Sequence, residues 1–213
     1  MEASMRKLRL FSLSALIVLG FVLIASAQPT IQGVQEGTLG PGTYIVVGNI
    51  TVSHNTTLTI QPGTTFLHAG HYKWAISGTL TAIGAADNLI IFKRQYENET
   101  CKWGGIKFIS SSASGSVLNH CVIEYCTNSV SPDYYGGGLY ASSSSPTILN
   151  TRISNCYASY GGGVYAHGNS AILLDGCTVM NNTSGNGGGV YLFSCNGAQI
   201  KNSIVAKNIS TST

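Results

Sequence analysis

One five-residue phrase is written three times in this chain: Gly136-Gly137-Gly138-Leu139-Tyr140, Gly161-Gly162-Gly163-Val164-Tyr165 and Gly187-Gly188-Gly189-Val190-Tyr191. Its copies start 25 and 26 residues apart. A phrase that returns at near-constant spacing occupies the same point of a stacked structural unit, which is how a solenoid is built. The residues around it repeat in step. Leu118, Ile148, Leu174 and Ile200 form one apolar column, and Ile123, Ile153, Val179 and Val205 form a second, five residues later. Three positions further on stand Cys126, Cys156, Asn182 and Asn208. The first step of each column is 30 residues and the later steps are 26; the surplus fits a loop at Ser131-Pro132-Asp133-Tyr134-Tyr135.

The first half lacks the glycine phrase but has the same grain. Short β-branched runs such as Leu58-Thr59-Ile60, Thr65-Phe66-Leu67, Leu80-Thr81-Ala82 and Ile90-Ile91-Phe92 alternate with turns such as Pro62-Gly63 and Gly84. No stretch after residue 27 has convincing helical periodicity, so the chain reads as all-β. Three short strands per unit of 20 to 30 residues is the arithmetic of a parallel β-helix, with like residues of successive coils ~4.8 Å apart. The alternative, a β-sandwich, gives no reason for the same residues to return at one period. The expected fold is a right-handed parallel β-helix, with opening coils over 28–115 and glycine-phrase coils over 116–213. The last residue falls where another glycine phrase is due, which reads as a solenoid cut short.

Residues 1–27 hold Arg6, Lys7 and Arg9, an apolar run from Leu10 to Ala25, and Ala25-Ser26-Ala27 before Gln28. That order is a secretory signal peptide with cleavage between Ala27 and Gln28; the competing reading is a single membrane anchor. Of the chain's 11 basic and 8 acidic side chains, removal of this segment takes three basic residues and Glu2, leaving a net charge of +1. A near-neutral protein has no electrostatic grip on nucleic acid. Charged residues are only 9% of the chain, against a usual ~25%, which suits many turns and a neutral polar exterior. The localisation expected is secreted or cell-surface. Contact with a membrane would come only through the signal segment or a C-terminal anchor beyond the chain.

Six cysteines follow the signal: Cys101, Cys121, Cys126, Cys156, Cys177 and Cys195. Export permits disulfides. Cys126 and Cys156 hold one register in adjacent coils and are the candidate pair, with stacked thiols as the alternative. Cys121 and Cys177 are two coils apart, too far to bridge. No Cys/His spacing suits zinc, so neither metal nor cofactor is expected.

The pairing of Gly-Gly-x-hydrophobic with hydrophobic-x-x-Asn, as in Val179-Met180-Asn181-Asn182 and Val205-Ala206-Lys207-Asn208, resembles the repeats of the chlamydial polymorphic outer membrane proteins. Here Ile or Val replaces that family's usual Phe, and Cys replaces its Asn at 126 and 156. Leu58-Thr59-Ile60-Gln61-Pro62-Gly63, Gly78-Thr79-Leu80-Thr81-Ala82 and Trp103-Gly104-Gly105-Ile106-Lys107-Phe108 look like the opening coils of secreted bacterial β-helix proteins. Together the resemblance covers residues 38 to 210. It implies a surface-exposed, adhesin-like protein, although the C-terminal translocator barrel of that family finds no counterpart here.

The leading site candidates are Tyr140, Tyr165 and Tyr191. If Leu139, Val164 and Val190 point inward, alternation turns all three phenols outward as a platform for sugar rings or a partner sheet; the reverse buries them. Chemistry for turnover is sparse. Glycoside hydrolysis needs two carboxyl groups within about 10 Å, and no acidic pair shares a register in adjacent coils. Ala166-His167-Gly168 resembles one element of the polygalacturonases, but the aspartates that should accompany it are missing. His68 and His71 read as a surface turn. Lys93, Arg94, Glu97, Glu99, Lys102 and Lys107 read as a solvated loop of mixed sign. The function expected is non-enzymatic: a rigid repetitive face presented to a polysaccharide or protein. The alternatives are a polysaccharide lyase or glycoside hydrolase with its catalytic coils elsewhere, and a structural envelope stalk. Self-association through the open terminal coil is a further expectation.

Overall fold

A computed structural model describes residues 27–97, 102–129 and 131–212. The expected signal segment up to Ser26, Glu99 and Cys101 lie outside them. Every named strand pair is parallel, and the coils stack into continuous sheets. One face stacks seven strands from Gly37–Leu39 to Gln199–Lys201. A second and third face are joined by the long strand Gly42–Val52, whose first half pairs with Thr64–His68 and whose second half pairs with Trp74–Ile76. The sole helix among the described residues is the 3₁₀ turn Ser111–Gly115. The same sheets run across residue 115: Thr79–Ile83 pairs with Val117–Asn119, which pairs with Thr147–Leu149.

The expected columns are real neighbours. Leu118 lies beside Ile148, Ile148 beside Leu174 and Leu174 beside Ile200; Ile123, Ile153, Val179 and Val205 stack likewise. Both columns extend into coils that lack the glycine phrase. The first continues through Ala82 to Ile60, and the second through Phe92 and Phe66 to Tyr44. Tyr44 is half-buried at the opening end; the other named members are buried until the last coil, where Ile200 and Val205 become exposed. The opening coils fill the same bore with aromatics, Phe66, Trp74, Phe92, Trp103 and Phe108, all at 0% exposure.

The expected count of three strands per coil holds only in the opening coils. From residue 127 onward a fourth short sheet appears, formed by Thr127–Asn128, Tyr157–Tyr160, Thr183–Asn186 and Ile209–Ser210. Its cause is an extra corner. Residues at four fixed registers take positive φ: His120, Asn150, Gly176 and Asn202; then Tyr125, Asn155, Asn181 and Lys207; then Gly136, Gly161 and Gly187; then Ser143, Gly168 and Ser194. A left-handed residue turns the chain sharply, and Asn or Gly meets that demand at least cost. The Cys/Asn column, buried at Cys126, Cys156 and Asn182 and half-buried at Asn208, lies just past the second corner and pairs the groups that the bend strips from the ladder. Asn182 Oδ1 accepts from the Cys156 amide at 2.9 Å, Asn208 Oδ1 accepts from the Asn182 amide at 3.0 Å, and each Nδ2 donates to a carbonyl one coil back, Ile153 and Val179 respectively. Unpaired buried backbone groups would otherwise each cost about 1–3 kcal/mol.

Two sequence expectations fail here. His68 is no surface turn: it is fully buried and stacked on Trp103 with ring centroids 3.9 Å apart. Its Nε2 accepts from Trp74 Nε1 at 2.9 Å, so Nδ1 carries the hydrogen and donates to the Lys93 carbonyl at 2.9 Å. A polar ring can sit in this core because both nitrogens are satisfied. Lys107 does not belong to a solvated loop either. It lies on the strand Ile106–Phe108 with its side chain 9% exposed, because Asp133 folds back over it.

Candidate functional site

The glycine phrase places the tyrosines. In each copy the first glycine is the left-handed corner, and the second and third leave no room for a side chain: a Cβ on Gly162 would stand 2.4 Å from the Gly188 carbonyl oxygen, and one on Gly163 2.6 Å from that of Gly189. Successive coils are thereby brought into register, and the strand that follows alternates cleanly. Leu139 and Val164 point into the core at 0% exposure, while Tyr140, Tyr165 and Tyr191 point outward as direct neighbours on parallel strands.

The phenol rings stack on one another along the solenoid axis. Tyr140 and Tyr165 have centroids 5.9 Å apart and planes within 5°; Tyr165 and Tyr191 are at 5.6 Å and 3°. The ladder's ring faces are therefore occupied by each other, and what it offers outward is ring edge and hydroxyl. This corrects the expected flat platform: sugar rings have no free face on the inner tyrosine. Tyr165 keeps only 7% exposure, and burial, with the surrounding phenols of Tyr135, Tyr140 and Tyr191, pushes its hydroxyl up to about 12. It remains a neutral donor and acceptor at any physiological pH.

The surplus residues at 131–135 roof this ladder. Tyr135 packs on Tyr165 at 4.8 Å and stacks on Tyr160 at 5.4 Å. Two hollows of about 220 Å³ each open on its two sides. One is aromatic, lined by Tyr135, Tyr160, Tyr165, Tyr191 and Phe193, of which Phe193 is 56% exposed. The other lies at the opening-coil end of the ladder, between Tyr140 and the lysine that precedes it in register, Lys107.

In that second hollow Asp133 bridges two amines. Lys73 Nζ donates to it at 2.9 Å, and Lys107 Nζ makes a short bond to its Oδ1. Burial by itself would raise the Asp133 carboxyl, but hydrogen bonds and charge from Lys107 and Lys73 together hold it below its usual value. Burial lowers Lys107, and Asp133 only partly restores it. The Lys107 ammonium also sits 5.8 Å from the Tyr140 ring centroid, within cation–π range. On the other side of Tyr140, its hydroxyl and His167 Nε2 are hydrogen-bonded at 2.8 Å, and burial lowers His167, keeping its ring neutral near pH 7.

Sequence reading found the ladder and missed its surroundings. Tyr135, Tyr160 and Phe193 fall outside the shared glycine phrase, and Lys73 and Asp133 are 60 residues apart. The one available signal was the non-repeating loop itself, since a surplus of aromatic and acidic residues in a repeat marks an excursion that lands somewhere.

Cys126 and Cys156 stand in adjacent coils, as the alignment expects, but the structure holds them as thiols and not as a disulfide. In-register parallel strands keep Cβ atoms at the strand spacing of ~4.8 Å with parallel Cα–Cβ vectors, whereas a disulfide wants Cβ atoms ~3.8 Å apart. Burial, with the neighbouring Cys156, raises the Cys126 thiol well above its usual value, and burial pushes Cys121 to about 12. Among the described residues no group of three or more His, Cys, Asp or Glu is placed to hold a metal ion, and no helix is long and apolar enough to cross a membrane.

A family model for the right-handed β-helix region matches residues 48–212. The chain belongs to this right-handed β-helix family. It has no significant match among curated proteins and none among solved structures. Membership of the right-handed β-helix family is consistent with surface proteins and with enzymes alike, so activity must be argued from the roofed tyrosine face.

Proposed function

We propose that this β-helix protein is exported, with Gln28 as its first mature residue, and acts as a surface or extracellular binding protein that holds a polysaccharide along the tyrosine face. The carrying observation is the aromatic hollow beside the Tyr135 roof, where the phenols of Tyr160 and Tyr191 adjoin the exposed side chain of Phe193. Phenol hydroxyls repeated on one face suit hydrogen bonding to a polymer, and the exposed ring of Phe193 suits stacking on a sugar ring. The arrangement favours binding over turnover. Asp133 is the sole carboxylate among the described residues lining either hollow, so the two-carboxylate geometry of glycoside hydrolysis is not assembled there.

Affinity electrophoresis of residues 28–213 through gels cast with a panel of neutral and acidic polysaccharides tests this reading. At least one polymer should retard the protein. Tyr135→Ala and Phe193→Ala should each weaken that retardation about tenfold, and the polymer should stay the same length after prolonged incubation. No retardation by any polymer overturns the reading; shortening of the polymer would make the protein an enzyme.

A further inference from the structure

We infer that the hollow at the Lys107 end of the ladder binds an anionic substituent, a carboxylate or a sulfate ester, of the glycan held on the tyrosine face. This rests on the polysaccharide reading above and narrows its ligand class to acidic glycans.

The charge count carries the inference. Lys73, Lys107 and Asp133 bring two ammonium groups to one carboxylate, and Asp133 is the only acidic partner of either amine among the described residues. One positive charge is left over in a place that is largely out of water, with side-chain exposures of 32% for Lys73, 9% for Lys107 and 20% for Asp133. Incompletely balanced charge in a poorly solvated site is costly, and a second anion relieves that cost. The hollow of about 220 Å³ is lined by both lysines, with Ala75, Ile109 and Pro132 making its walls apolar. Apolar walls weaken screening, so an ammonium–anion contact counts for more here than on open surface.

Geometry sets the order of the site. Lys107 and Tyr140 are register neighbours, so an anion on the lysines lies one strand spacing from the first hydroxyl of the ladder. A polymer seated in the aromatic hollow at Tyr160, Tyr191 and Phe193 and passing over the Tyr135 roof would present a further residue to Tyr140 and the lysine pair. Ammonium groups act as point charges without the planar fork of arginine. The site therefore reads charge and position, and carboxylate and sulfate ester are equivalent to it at this level. The incoming group adds beside Asp133, which already shows that an anion fits between the two amines.

The test uses dextran, carboxymethyl-dextran and dextran sulfate, three polymers with one backbone and different substituents. Residues 28–213 should be retained at least tenfold more strongly by one or both anionic polymers than by dextran, and which of them is preferred identifies the substituent. Lys73→Met should lower that retention about tenfold, and Asp133→Asn should raise it, because the internal competitor for the amines is gone. Lys201→Met, an exposed lysine outside the hollow, should change it less than twofold. Lys107→Met is the second lysine variant, its retained fold checked by circular dichroism, and should match Lys73→Met. Equal retention by all three polymers, or Lys73→Met and Lys201→Met behaving alike, would overturn the inference. Tyr135-dependent binding of a neutral polymer would then leave the polysaccharide reading standing. No retention in any of the three gels also overturns the inference, and the wider panel decides the polysaccharide reading independently.

Discussion

His68 illustrates how one side chain couples this core to pH. Burial lowers it from 6.5 to about 3, opposed only in part by its hydrogen bond to the Lys93 carbonyl. A histidine with a depressed folded-state value takes up its proton more readily in the unfolded chain. Its contribution is complete above pH 6.5 and is lost as the pH falls from 6.5 towards 3, up to ~5 kcal/mol across that window. Urea unfolding should therefore give a midpoint that drops steeply between pH 7 and pH 4. His68→Leu leaves the Trp74 indole N–H and the Lys93 carbonyl without their partner. It should cost roughly 2–5 kcal/mol at pH 7 and flatten the acid limb. An acid limb as steep in the variant as in the native protein would place the titrating group elsewhere.

At the scale of the coil, glycine has two separate jobs that the sequence writes identically. Gly136, Gly161 and Gly187 supply positive φ, whereas the glycines after them supply contact. A Cβ at Gly162 would meet backbone oxygens of the next coil, Gly188 at 2.4 Å and Thr183 at 2.5 Å, and backbone cannot step aside as a side-chain tip can. Gly162→Ala should destabilise by roughly 3 kcal/mol and loosen the ladder beside it. Gly115→Ala, whose nearest obstacle is the Thr79 side chain at 3.8 Å, should stay within about 0.5 kcal/mol. Thermal melts of the two variants make the comparison, and equal costs would mean that the coils are not in the close register described.

For the molecule as a whole, stacking leaves its last described coil uncovered. Ile200 is 43% and Val205 46% exposed at positions where earlier coils bury their residues, Ile204 and Ile209 beside them are 61% and 58% exposed, and the strands Val190–Phe193, Gln199–Lys201, Ile204–Ala206 and Ile209–Ser210 each pair on one side only. Apolar surface beside unpaired strand edges is a template for another chain. We propose that residues 28–213 self-associate through this coil. Sedimentation velocity should show concentration-dependent association, suppressed by charges at the end in an Ile204→Lys/Val205→Glu double variant. A monomer at high concentration, or a double variant that associates as the native chain does, would rule this out.

The sequence by itself determined the class of fold, its repeat and its core columns, because a solenoid repeats the same local problem in every coil. Leu118, Ile148, Leu174 and Ile200 could be aligned since each answers the same neighbour one strand spacing away. It also determined that the three tyrosines share one face; that this face is the outer one was decided by the structure, where Leu139 and Val164 take the core. Only the tertiary structure decided where the exceptions land. The meeting of Lys73, Lys107 and Asp133, the roofing of Tyr165 by Tyr135, and the burial of His68 against Trp103 each join residues that do not share a register in the coils. Periodicity fixes contacts at the repeat distance alone. A loop that leaves the repeat takes its position from packing and charge across the finished surface, so the ladder was legible in the chain and the hollow beside it was not.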